Sequence, residues 1–261
     1  MHSHILYDID DGSKSFAMSC QMIDDVVAAG VKQMFATSHF IAHDNNYSVD
    51  DLKNRVAKLQ EYIDEEKYDF DIILGHEILI DHLTIDHLES GKALTLGDSS
   101  YVLIEFPMYD IPVYTDHVFH ELKLAGYVPI IAHPERNKKI IEEPNRLYSL
   151  LEKGAFSQLN LKSLTGKFGK EAQSTAEILL RHNMYHFVGS DVHRPTSEQS
   201  FMGRERNRLK ELVSGSMYDE MTVANPYAVM IDSKTISSKH TRYEPQTFIQ
   251  QIFGKFRRVS A

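Results

Sequence analysis

His2-Ser3-His4 and Asp191-Val192-His193 each set two metal-competent side chains two residues apart. On an extended chain that spacing points both to one side, so each pair can face a single ion. Four residues of the same kind sit at the ends of apolar runs: His39 after Val31 to Ser38, Glu77 after Phe70 to His76, Glu105 near the end of Tyr101 to Phe106, and His133 after Tyr127 to Ala132. Imidazole mixed with carboxylate suits Zn, Mn or Fe(II) and is too rich in nitrogen for a Ca or Mg site. So many ligands exceed the needs of one ion, which predicts two or three metals with a carboxylate such as Glu77 bridging. A single His near a strand end is more often an ordinary polar residue. Repetition at six strand ends is hard to assign to chance. His43, His82, His87, His117, His120, His182 and His240 lack that placement and are read as surface or packing residues.

Ala132-His133-Pro134-Glu135-Arg136 brings a guanidinium next to this set. Its planar fork matches two oxygens of a phosphate, so Arg136 is a candidate phosphate ligand. Arg194, directly after His193, is a second.

The elements that must position these residues follow from the hydrophobic pattern. Short runs rich in Val, Ile, Phe and Tyr predict buried strands at Val31 to Ala36, Phe70 to Leu74, Tyr101 to Phe106, Tyr127 to Ala132, Phe156 to Leu159 and His186 to Val188, with a stub at the N-terminus. Helices are predicted at Ser15 to Ala29, Ser48 to Glu66, Thr115 to Ala125, Glu143 to Lys153, Gly169 to His182 and Thr196 to Val213. Gly30, Gly126 and Gly154 each stand between a helix and the next strand, where a positive φ ends the helix. Alternating strands and helices imply parallel pairing, and near this length a barrel is favoured over a doubly wound sheet. Parallel strands point the same way, so their C-terminal ends gather the candidate ligands on one face.

Composition narrows the function. Lys and Arg total 28 against 37 for Asp and Glu, a formal net charge of −9 that argues against a general nucleic-acid binder. No apolar run is long enough to span a bilayer and no signal pattern opens the chain, so the protein is expected to be cytoplasmic. Cys20 is the lone cysteine, which rules out an internal disulfide and cysteine-rich metal motifs. Cysteine-based tyrosine phosphatases need Arg six positions after the nucleophile, and Val26 stands there. From about Lys234 the chain turns basic, and Phe248, Ile249, Ile252, Phe253 and Phe256 recur at helical spacing. That tail reads as a helix packed on the barrel or on a neighbouring subunit of a homo-oligomer, or as a partner or membrane-surface contact.

Together, His2-Ser3-His4, Asp8-Ile9-Asp10-Asp11-Gly12-Ser13-Lys14-Ser15, Thr37-Ser38-His39, Gly75-His76-Glu77-Ile78, Leu103-Ile104-Glu105-Phe106, Ala132-His133-Pro134-Glu135-Arg136 and Gly189-Ser190-Asp191-Val192-His193 resemble the PHP (polymerase and histidinol phosphatase) superfamily. Asp-Asp-Gly-x-Lys-Ser and Ile-Glu-Phe look more like its CpsB/YwqE branch, bacterial tyrosine-protein phosphatases of Gram-positive capsule and exopolysaccharide loci. The resemblance implies an α/β fold, a PHP-type distorted (β/α)7 barrel over residues 1–232, with 233–261 as a basic amphipathic tail. It also implies a three-metal centre, commonly Mn2+, in which metal-activated hydroxide hydrolyses phosphotyrosine on the C-terminal tyrosine cluster of a bacterial tyrosine autokinase. Carried over by motif, His2, His4, Glu77 and Asp191 hold one metal, Glu77, Glu105 and His133 a second, and His39 and His193 the third. The acidic ligand after His-x-His is Asp11 or Asp10, and Arg136 contacts phosphate. The chain departs from the family pattern by about three fewer residues before His-x-His, around Arg194-Pro195, and after Lys234.

Three other readings remain: a small-molecule phosphatase of the histidinol-phosphate type, a metal-stabilised module that binds a kinase without turnover, and a metal-dependent amidohydrolase. The last ranks low, because amidohydrolases normally lack Asp-x-His on the last strand and the Glu77/Glu105 pair.

Overall fold

The computed structural model describes residues 1–196, 202–234 and 239–245. Among the described residues six strands form one sheet in chain order: β1 (Gln33–Phe40), β2 (Asp71–Leu79), β3 (Tyr101–Glu105), β4 (Val128–Ala132), β5 (Phe156–Asn160) and β6 (Phe187–Gly189). Every pairing is parallel, and the sheet makes a half-barrel. All six match predicted strands; β1 and β2 extend further, carrying His39 and Glu77 within the ladder.

α1 (Phe16–Ala28) precedes β1; between the strands run α2 (Val49–Glu65), α3 (Thr84–Glu89), α4 (Thr115–Leu124), α5 (Lys138–Glu142), α6 (Asn145–Glu152) and α7 (Gly169–Arg181), followed by α8 (Gly203–Leu212), α9 (Gly215–Asp219) and α10 (Asn225–Met230). Gly30, Gly126 and Gly154 adopt φ of +78°, +88° and +99°, as their position between helix and strand requires.

Alternation within the strands explains how an apolar core becomes a polar site. On the inner face, Phe35 leads to Thr37 and His39, Ile73 to Gly75 and Glu77, Tyr101 and Leu103 to Glu105, and Ile130 to Ala132 with His133 just beyond. The lower part of that face is a closed apolar cluster of Phe35, Tyr101, Leu103, Ile130, Ala132 and Phe187, plugged by Leu96 and Val229. A two-residue step up each strand exchanges this floor for ligands. The outer residues, such as Val102, Ile104 and Ile131, bury against the helices in the larger core.

The N-terminal residues sit between the two edges of the sheet. Ser3 makes a parallel bridge with Val192, Thr37 N donates to Ser3 O at 2.8 Å, and Asp191 N donates to His2 O at 2.9 Å.

Of the helix predicted from Thr196 to Val213, α8 covers Gly203–Leu212, preceded by Met202 in a left-handed conformation; residues 197–201 lie outside the described part. The amphipathic positions Phe248 to Phe256 also lie outside it. Residues 239–245, assigned above to the tail, run along α6 and α7: Thr241 N donates to His182 O, and Asn145 Nδ2 to Tyr243 O, both at 2.9 Å. Among the described residues no helix is long and apolar enough to cross a membrane.

His186, just before β6, is buried, and its Nδ1 accepts from Ser157 N at 3.3 Å. Burial, and then the charge of His240, push its pKa down to about 3. As pH falls below about 6.5 the unfolded chain takes up this proton before the folded one does, so stability declines from there to about pH 3. His186→Gln is expected to flatten the fall in Tm between pH 6.5 and pH 4.5 by about one proton's slope, read by thermal melts across that range.

Candidate metal centre

The predicted ligands converge. His2 Nε2 and His4 Nε2 are 3.1 Å apart; Glu77 Oε2 lies 3.1 Å from the first and 3.3 Å from the second. Asp191 Oδ1 is 3.5 Å and 3.3 Å from the same two nitrogens. Glu77 also reaches His133 Nε2 with Oε1 at 2.8 Å and His39 Nδ1 with Oε2 at 3.1 Å. Glu105 closes on His39 Nδ1 at 3.6 Å and His133 Nε2 at 3.7 Å. His193 Nε2 is 3.2 Å from Asp11 Oδ1. Among the described residues three clusters, each within 4.8 Å, result: His4, Asp11, His39, His193; His2, His4, Glu77; and His39, Glu77, Glu105. The division implied by the resemblance differs chiefly at His39, which the structure sets beside Glu77 and Glu105 as well as beside His193.

The two neighbouring aspartates take different positions. Asp10 Oδ2 accepts from His4 Nδ1 at 2.8 Å and from His39 N at 3.1 Å, and its Oδ1 from Gly12 N at 2.8 Å. Asp10 therefore orients His4 from behind, and Asp11 is the one that faces the cluster. Gly12 makes this turn possible, since a Cβ there would stand 2.2 Å from His4 O.

These residues fit divalent cations. His2 directs Nδ1 to Gln158 Oε1 at 2.9 Å and His4 directs Nδ1 to Asp10. With those protons on Nδ1, the two Nε2 lone pairs face each other at 3.1 Å, an arrangement that a shared cation, or a proton on one of them, relieves. Donor separations of 3.1–3.5 Å are edges of a polyhedron around an ion with ligands at about 2.0–2.2 Å. His39 Nδ1 is buried and, although 3.1 Å from Glu77 Oε2, has no partner in hydrogen-bond geometry among the described residues. Without a cation the carboxylates disturb one another: burial and then the charge of Glu77 push Glu105 up to about 7. Although burial favours the neutral ring, the bond to Glu77 lifts His133 to about 9. Burial also opposes ionisation of Asp191, yet the surrounding imidazoles hold it below the usual carboxylate range.

Two of the gathered residues are backbone outliers. His133 has φ of +31° and Asp191 of +46°. A non-glycine residue held there costs about 1–3 kcal/mol, a strain that concentrates at functional sites.

Arg136 Nη1 donates to Asp191 Oδ2 at 2.9 Å, and its guanidinium lies 4.2 Å over the Phe168 ring. It borders the centre as the sequence predicts. Arg194 instead directs Nη1 to the carbonyls of Asp11 (2.8 Å), Gly12 and His193 (2.7 Å). The expected phosphate contact is replaced at that nitrogen by a clamp between the Asp11 turn and the His193 turn.

Sequence reasoning missed a supporting set. Asn160 Nδ2 and Lys162 Nζ donate to Asp191, at Oδ2 (2.7 Å) and O (2.6 Å). Buried Glu135 accepts from Asn160 N at 3.0 Å, Ser163 Oγ at 2.6 Å and Tyr185 OH at 2.8 Å, fixing the turn that carries His133 and Arg136. A signal existed: Gln158 and Asn160 are polar, one strand period apart, and lie in and just past Phe156 to Leu159, the one predicted strand without a ligand at its end.

Asp10→Asn keeps the shape but loses the charge behind His4. Metal affinity is expected to fall about 10- to 100-fold, read by competition with a chelating indicator; unchanged affinity would remove Asp10 from the orienting role.

Comparison with known proteins places the chain. The family model "Capsular polysaccharide synthesis, CpsB/CapC" matches residues 1–231. The tyrosine-protein phosphatase YwqE of Bacillus subtilis is 37% identical over 264 residues, covering 98% of this chain and 99% of the relative. The tyrosine-protein phosphatase CpsB of Streptococcus pneumoniae is 27% identical over 237 residues, covering 89% and 98%. Crystallographic work on YwqE and CpsB, described there as unique metal-dependent tyrosine phosphatases, provides a chain that superposes with a TM-score of 0.86 at 31% identity, over 94% of this chain and 98% of that one. A histidinol phosphate phosphatase from Lactococcus lactis matches at 0.51 and 13% identity, over 81% and 91%, a likeness of fold alone. The chain belongs to the CpsB/CapC family.

Proposed function

We propose that this protein is a metal-dependent protein-tyrosine phosphatase, a phosphoric monoester hydrolase that cleaves phosphotyrosine to tyrosine and inorganic phosphate. The observation that carries this reading is the set of His2, His4, Glu77 and Asp191 donor atoms within 3.1–3.5 Å of one another, with Arg136 on the outer oxygen of Asp191. The named activity of relatives at 27–37% identity supports it.

His2, His4, His39, Glu77, Glu105, His133, Asp191 and His193, with Asp11, would hold two or three ions. Manganese is our preferred metal, with Fe or Zn as alternatives. Bound there, such ions supply Lewis-acid neutralisation of phosphoryl oxygens and acidify water into a nucleophile near neutral pH. Arg136 lies where its fork can hold the transferring phosphoryl group, and Phe168 keeps the guanidinium plane fixed. Asn160 and Lys162 hold Asp191 in place as charge moves. The P–O bond to the phenol breaks as the bond to the water oxygen forms. A phenolate with pKa near 10 leaves without a general acid, so none is assigned.

The finer readings rest on the same ground. Residues 2–4, bonded to both sheet edges, act as a seventh strand that would complete a PHP-type (β/α)7 barrel. The substrate would be a cytoplasmic tyrosine autokinase that controls capsule or exopolysaccharide synthesis. Chelator treatment is expected to abolish hydrolysis of p-nitrophenyl phosphate, and Mn2+ to restore it. Initial rates should favour a phosphotyrosyl peptide over histidinol phosphate. Preference for histidinol phosphate would overturn the substrate class, and activity that survives full metal removal would overturn the mechanism.

A further inference from the structure

Asp11 differs from the other candidate ligands in what holds it. Those stand on strands, just past strand ends, or on the seated residues 2–4. Asp11 is carried by the turn from Tyr7 to Gly12, and its side chain is 68% exposed, with Oδ1 3.2 Å from His193 Nε2 and 3.7 Å from His39 Nε2. Its aim therefore depends on the backbone of that turn. Asp8 and Asp10 crowd two more carboxyl groups into the same short stretch, and Asp8 takes a left-handed φ of +55°. Like charge and backbone strain both work against a single shape.

Cationic side chains hold the turn from outside. Arg55, on α2, donates from Nε to Tyr7 O at 2.7 Å and from Nη2 to Asp8 O at 3.2 Å, and its guanidinium lies 5.4 Å over the Tyr7 ring. Its Nη1 donates to Asp51 O at 3.2 Å, one turn back on the same helix, which fixes the fork. Lys14 Nζ donates to Asp10 O at 2.7 Å, and Arg194 Nη1 to Asp11 O and Gly12 O. The carbonyls of Tyr7, Asp8, Asp10, Asp11 and Gly12 are thus each turned to a positive charge, in bonds about twice as strong as neutral ones. A ligand set in place before its ion arrives spares binding the cost of ordering it. We propose that Arg55, Lys14 and Arg194 are positioning residues: their grip on these carbonyls aims Asp11 into the cluster of His4, Asp11, His39 and His193, and so sets the affinity for the ion held there. This rests on the metal-centre reading above.

The test uses the full chain, stripped of metal and titrated with Mn2+ against a chelating indicator, so that successive ions are read as separate binding steps. Asp11→Asn marks the step that depends on that carboxylate. Arg55→Met and Lys14→Met keep the apolar stems and lose the donors; each is expected to weaken the marked step about tenfold, the scale of a lost support behind a ligand, and to leave the other steps unchanged. Lys14→Arg, which keeps both charge and donor, should bind as the unmodified protein does. With Asp11→Asn already in place, Arg55→Met and Lys14→Met should add nothing, because they act through that carboxylate. A merely structural role would instead weaken every step and persist in the Asp11→Asn background. Either of those results would overturn the proposal, as would unchanged affinity in both methionine variants, a weakened Lys14→Arg, or the lack of any step sensitive to Asp11→Asn. If the unmodified protein takes up no Mn2+, the metal-centre reading fails first and takes this proposal with it.

Discussion

Glu77→Gln is expected to lower hydrolysis of a phosphotyrosyl peptide by about 10³-fold or more, with loss of bound metal. Glu77 lies within 3.3 Å of His2, His4, His39 and His133, and takes part in two of the three ligand clusters. The substitution keeps volume and removes one negative charge from the centre. Metal analysis and turnover read the loss. Thermal melts separate it from misfolding: in chelator the variant should keep one cooperative transition, at a lower Tm because His133 and His4 lose their carboxylate partner. The rise in Tm on adding Mn2+ should shrink or vanish, since ligand-linked stabilisation follows RT ln(1 + [L]/Kd). Normal turnover with metal retained would remove Glu77 from the centre.

Arg136→Ala is expected to cost about 10²- to 10³-fold in kcat/KM with metal content unchanged, the scale for loss of one preorganised donor to a developing oxyanion. Arg136→Lys should recover little. Lysine carries the charge but neither the planar fork nor the face that lies 4.2 Å over Phe168. Full recovery by lysine would mean that Arg136 acts as a point charge alone.

The strands and most of the site were legible because both depend on local period. β3 and β4 alternate inner and outer residues, and each inner row ends at or just before a ligand, Glu105 or His133. The long helices declared themselves through amphipathic spacing and a terminal glycine. What escaped has a different physical origin. The roles of Asp10 and Asp11 were indistinguishable by type, and were decided by the turn at Gly12 that lets the backbone approach His4. Asn160, Lys162 and Glu135 act on ligands through tertiary contacts that have no sequence spacing. Short helices α3 and α5 carry too few residues to show a period. Arg194 was read from its neighbourhood, while backbone carbonyls 182 and 183 residues upstream claim its Nη1.

The position of Ser3 between the sheet edges ties cation loading to the dynamics of the fold. The amides of Thr37 and Asp191 are covered only while residues 2–4 stay seated, for they donate to the carbonyls of Ser3 and His2. Stripping the ions removes the ligand bonds that tie His2 and His4 to Glu77 and Asp191 and leaves only their weaker ion pairs across that seam, which lets the short segment open more often. Deuterium should then enter those two amides many times faster than in the Mn2+-loaded protein, while the floor around Phe35 and Leu103 keeps its protons.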